Sequence, residues 1–215
     1  MAKAWMPGAE RIDGGTTRTA VGIGAPRAVW TVTDTDPNMW SAREEALRLV
    51  HEGKTAHLVW NPLTGTVAQI LAATRRSELV LGHTWRYGQF LDHGDEGRVC
   101  LVISVVSTEK EPFTDGPLVG LAPILAWLES WGVPGRWPAG PPGLWGERRP
   151  GPEEATRVWS RGGHFGHDQV PGSLATAPGR IDPGHVLAPG RSEAVSVNRA
   201  PLPREHAERQ PSVIR

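Results

Sequence analysis

The sequence predicts an α/β domain in which a central mixed β-sheet is flanked by helices. Three observations predict it. Two runs, AVWTVT (Ala28 to Thr33) and VCLVISVV (Val99 to Val106), are dense in β-branched and apolar residues, as buried strands are. Between them SAREEALRLVHEG carries a helix with start and stop signals, and after them LVGLAPILAWLESW has helical spacing.

Taken in order, Met1 to Pro26 is rich in Gly, Thr and Pro and reads as irregular. The strand from Ala28 ends at the turn DTDPN. Ser41 then supplies an N-cap, Glu44 its capping-box partner, Ala46, Leu47 and Val50 an apolar face, and Gly53 the stop. Ala56 to Trp60 and Thr66 to Leu71 flank the turn formers NPLTG and make a hairpin. GHTWRYGQFLDHGDEG, with His83, Asp92 and His93, reads as a solvated loop in preference to a local metal site. Val99 to Val106 is nearly free of polar residues and is expected at the centre of the sheet. Leu118 to Trp131 forms the second helix, with Pro123 marking a start or kink and Trp127 and Trp131 one turn apart in the core. Gly132 to Glu147 is a Pro, Gly and Trp rich loop, ordered because Trp137 and Trp145 need something to pack on. Residues 1–189 thus form one domain with its core at about 26–187, and 190–215, poor in large apolar residues, reads as a solvated tail.

Composition narrows the partners. Lys and Arg number 23 and Asp and Glu 23, so no net charge draws the chain to nucleic acid or to an anionic membrane. No stretch has the length of a membrane span, and Cys100 is the single cysteine. The start MAKAWMPGAERIDGG lacks a secretory pattern, so the expected place is the cytoplasm, or release by a route without a signal peptide.

The late stretch GHFGHDQVPGSLATAPGRID has the look of half a metal site. Together with AVWTVTD, AHLVWNPLTGTVAQIL, VCLVISVV and KEPFTDGPLVGLAPILAWLESWGVPGRWPAGPP, in that order, it resembles the zinc-dependent N-acetylmuramoyl-L-alanine amidases. Their fold is shared by phage endolysins and peptidoglycan recognition proteins. The resemblance spans roughly Trp5 to Leu187. It implies one zinc held by two histidines and an aspartate or cysteine, with a bound water that attacks the amide between the lactyl group and the first alanine. An open fourth position lowers the pKa of such a water to about 7.

Matched position by position, the resemblance puts Thr31 where the family has its first histidine, His167 at the second, and Ala177 at the third ligand. Ser104 falls on the catalytic glutamate and Ala175 on the residue that stabilises the oxyanion. A threonine hydroxyl is a poor zinc donor, alanine has none, and serine is no base near neutral pH. A register shifted by five residues would offer Asp182, with His185 nearby, but needs a bulge. The expectation is a degenerate site with no metal cofactor.

Three readings follow. The first keeps the cleft without the chemistry: a muropeptide or another small molecule, or a protein partner, binds there, with His57, Trp60, His164 and His167 as candidate contacts. Recognition proteins of this fold that lack zinc ligands bind without hydrolysis, as the resemblance implies. Trp60, Trp85, Trp137 and Trp145 divide between lining the groove and packing loops. The second is a metal-independent enzyme pairing His167 with Ser104 or Asp168. The third is an active zinc amidase with a rearranged site using Asp182 or His164. Cys100 is read as a small core residue.

Overall fold

The computed structural model describes residues 1–20, 22–86, 89–143 and 150–188. Trp145 and the tail from Gly190 therefore lie outside the described residues.

A six-stranded mixed sheet forms the centre. Its strands are β1 (Glu10–Arg11), β2 (Arg27–Val32), β3 (Leu58–Trp60), β4 (Val67–Gln69), β7 (Cys100–Val105) and β8 (Gly163–Gly166); the intervening β5 (His83–Arg86) and β6 (Gln89–Asp92) form a separate hairpin. The order is β1-β4-β3-β7-β2-β8, with β7 parallel to both β2 and β3, β8 parallel to β2, and β3 antiparallel to β4. Four parallel strands therefore open their carboxyl ends at one edge, where ligands of open α/β sheets bind.

Strand alternation sorts the core into two faces. Ala28, Trp30, Leu101, Ile103 and Val105 pack with Leu121, Ile124, Trp127 and Leu128 of α2 (Leu121–Ser130). On the other face, Val59, Ala68 and Ile70 meet α1 (Ala42–His51), while Val29, Cys100, Val102 and Phe165 meet Trp159 of α3 (Pro152–Trp159). Each large side chain so buried contributes roughly 1.5–3 kcal/mol. The chain ends its described part in α4 (Pro183–Leu187).

The capping box stands as read: Ser41 Oγ accepts from the Glu44 amide, and the Glu44 carboxylate accepts from the Ser41 amide at 2.9 Å. The buried stripe of α1 is Ala42, Glu45, Ala46 and Leu49, whereas Leu47 is 46% exposed. Glu45 displaces the expected face because Arg48 neutralises it, bonding its carboxylate at 2.6 Å. The first 26 residues are less irregular than their composition suggests: β1 pairs with β4, Met6 and Ile12 are buried, and the Trp127 and Trp131 indoles donate to the Lys3 carbonyl. The described residues of GHTWRYGQFLDHGDEG form no solvated loop either, since His83–Arg86 pairs with Gln89–Asp92 and the turn that follows buries His93.

Candidate functional site

Parallel pairing sets Thr31 of β2 beside Ser104 of β7. Both point to the face of α1 and α3, alternating with Trp30 and Ile103. β8 pairs Gly166 with Trp30, so His167, the next residue, comes level with Thr31. Its Nδ1 lies 3.4 Å from Thr31 Oγ1, and its Nε2 lies 3.2 Å and 3.1 Å from the carbonyl oxygens of Val80 and Leu81. Carbonyls only accept, which puts the proton on Nε2 and leaves Nδ1 to accept from the Thr31 hydroxyl. Burial pushes the His167 pKa down, against the raising effect of those two carbonyls, so the neutral ring is the favoured form.

Ala177 lies beside the residue that follows His167. Its carbonyl accepts from the Asp168 amide at 2.8 Å, and its methyl is buried. Asp168 Oδ2 in turn accepts from Gly143 N at 2.8 Å. Gly166 permits the close approach, because a Cβ there would stand 2.4 Å from Asp168 Oδ1 and 2.7 Å from Pro142. Ala175 is half-buried, its amide bonded to Ser173 Oγ.

A zinc ion needs three converging donors from side chains such as imidazole, carboxylate or thiolate. Here the groups that meet are one imidazole and one neutral hydroxyl, and the imidazole's second nitrogen is held by backbone. Among the described residues no three His, Cys, Asp or Glu side chains are grouped to hold a metal ion. The residues present do not fit zinc. Asp182 caps α4 through Gly184 N at 2.7 Å, and His185 contacts Thr114 O at 3.1 Å and Asp182 at 3.7 Å, which ties both to the helix end.

The other candidates of the sequence are placed as follows. His57 is fully buried in the sheet: Val102 N donates to its Nδ1 at 3.0 Å, and its Nε2 lies 3.0 Å from Arg75 O. Burial lowers its pKa to about 4. Trp60 is fully buried, its indole donating to Val119 O at 2.8 Å. His164 lies on the α2 face, accepting from Trp30 Nε1 at 3.0 Å and stacked with Trp30 and Trp137. Desolvation lowers its pKa to about 4. Ser104 is buried beside Thr31, and the bond to His167 is made by Thr31. Cys100 is buried, its thiol pushed up to about 12 by desolvation.

The open space lies next to this corner. A cavity of about 330 Å³ is walled by β5 (Thr84, Trp85), by Pro152 and Ala155 of α3, and by Asp168 and Ser173 of the loop that follows His167. Trp85 is 61% exposed at its rim. Sequence reasoning named Trp85 for the groove but missed the walls supplied by Thr84 and α3. PEEATRVW carries an N-terminal proline and two acids in its first turn, the signals of a helix start.

No protein-family model and no curated protein matches this chain. Among solved structures it is similar to a selenomethionine derivative of AmpD, at 13% identity and a TM-score of 0.46, over 83% of this chain and 92% of that one. It is likewise similar to the endolysin N-acetylmuramoyl-L-alanine amidase LysCS from Clostridium intestinale URNW, at 12% identity and a TM-score of 0.44, over 86% and 95%. No helix among the described residues is long and apolar enough to cross a membrane.

Proposed function

We propose that the chain is an amidase-like protein whose zinc centre has been replaced by a closed His167–Thr31 contact, and that it binds a peptidoglycan fragment or a related small molecule without zinc-dependent hydrolysis. The observation that carries this reading is the state of His167. Both of its ring nitrogens are engaged, by a hydroxyl on one side and by two carbonyls on the other. A ligand enters the cavity beside that corner, where Trp85 offers a ring to a sugar face and Asp168 and Ser173 offer polar groups. The pairing of His167 with Ser104 gains no support, since Thr31 occupies the imidazole.

The test is a calorimetric titration of the full chain with a muramoyl dipeptide, with and without chelator, followed by mass analysis of the ligand. The expected outcome is binding in the micromolar range, indifferent to chelator, weakened by Trp85→Ala, with the ligand recovered intact. Affinity no better than millimolar, or chelator-sensitive cleavage at the lactyl-alanine amide, contradicts the reading.

A further inference from the structure

A second cluster reaches the cavity through Thr84, outside the His167 contact. Thr84 on β5 places its Oγ1 2.6 Å from Nε2 of His93, the first residue beyond β6. His93 Nδ1 lies 3.1 Å from Glu96 Oε2, off the line of a straight hydrogen bond and sealed from solvent. Glu96 Oε2 is held from behind by the Trp159 indole at 2.7 Å, and the Arg27 guanidinium lies over that indole at 4.7 Å. The His93 backbone is fixed as well, its amide donating to Gly82 O at 2.9 Å.

The protons follow from the partners. Burial pushes the Glu96 carboxyl up, but the contacts of His93, Trp159 and Arg27 outweigh it and hold the group below the ordinary range, so it is ionised near neutral pH. A carboxylate beside Nδ1 keeps the proton there, which leaves Nε2 to accept from the Thr84 hydroxyl. A hydroxyl, an imidazole and a carboxylate in this sequence are the parts of an activated nucleophile, a base and its orienting group. Slack alignment in the resting state is usual for such sets.

We infer that Thr84, His93 and Glu96 form a metal-independent acyl-transfer site for small acyl esters, with Thr84 as nucleophile. The inference does not depend on the amidase reading. Thr84 Oγ1 attacks the ester carbonyl carbon while its proton passes to His93 Nε2; the ester C–O bond then breaks, and the alcohol leaves with that proton. Water attacks the acyl-Thr84, giving one proton to His93; the carboxylic acid departs, and the proton returns to Thr84. Glu96 is a positioning residue that holds the imidazole. The chemical class comes from the walls. Thr84 borders the cavity of about 330 Å³ together with Pro152, Ala155, Val170 and Pro171, a small and largely apolar space. Trp85, 61% exposed, borders the cavity and offers an aromatic surface for the leaving alcohol.

The experiment uses the full chain with chelator present. Hydrolysis of p-nitrophenyl acetate is followed, and a fluorophosphonate probe, which forms a P–O bond with release of fluoride, is mapped by peptide mass spectrometry. The expected result is one adduct per chain on Thr84 and a kcat/KM reduced about 100-fold or more by Thr84→Val and by His93→Gln. Thr84→Ser retains turnover, and Glu96→Gln lowers kcat with KM unchanged. Turnover in Thr84→Val equal to the parent, or an adduct elsewhere, overturns the inference. If Thr84→Val fails to fold by circular dichroism, Thr84→Ser decides: turnover with the adduct at position 84 supports the site, and absence of both in parent and variant refutes it. Muramoyl dipeptide binding is read separately, so either proposal can fail without the other.

Discussion

Replacing His167 by alanine separates a structural histidine from a metal ligand waiting for its ion. In the fold its ring satisfies the Thr31 hydroxyl, which is 5% exposed, and gives its Nε2 proton to the carbonyls of Val80 and Leu81. Removing it orphans a buried donor and two acceptors, at about 1 kcal/mol for each side of the ring, and leaves a void costing about as much again. The expected loss is therefore about 3 kcal/mol, which for a chain of this size lowers the melting temperature by roughly 6–12 °C. The assay is urea and thermal unfolding of His167→Ala against the parent, each with and without chelator. A variant as stable as the parent, or a parent that loses stability in chelator, refutes the reasoning.

Acid is the second perturbation. His57 and His164 titrate at about 4 against an ordinary 6.5, because burial disfavours the imidazolium. As pH falls below 6.5 the unfolded chain takes up protons first, so stability is full above that value and declines down to about 4, by about 3 kcal/mol for each residue. Urea midpoints between pH 7 and pH 4 check this, and a flat profile contradicts it. Gly172→Ala places a Cβ 2.1 Å from His83 O at a backbone φ of +69°, and is expected to cost at least about 2 kcal/mol in thermal unfolding. Ser41→Ala removes the capping box of α1 and costs about 1 kcal/mol, measured in urea.

The fold was legible where local chemistry and tertiary context agree. Ser41, Glu44 and the NPLTG turn announce α1 and the β3–β4 hairpin, and the apolar run at Val99 to Val106 announces the central strand. β8 was not legible, because Gly163, His164, Phe165 and Gly166 have little strand propensity as a group and are extended by pairing with β2. Leu47 was placed on the wrong side of α1, since a periodicity count passes over a buried glutamate that Arg48 neutralises. Pairing of β2 with β7 and β8 brings Thr31, Ser104 and His167 together although they lie far apart in sequence. What no local pattern carries is the cover over His167 from Val80 and Leu81, or the contact of Thr84 with His93 across a hairpin. Only the i, i+3 spacing of His93 and Glu96 in HGDE hinted at the second cluster.

The proposal turns on His167, whose ring nitrogens face a neutral hydroxyl and two backbone carbonyls, holding no zinc. Zinc content after dialysis, followed by calorimetric titration of zinc into the full chain, tests it most directly. The account predicts no stoichiometric zinc and affinity no better than millimolar, unchanged in His167→Gln. One tightly held zinc per chain that is lost in His167→Gln contradicts it.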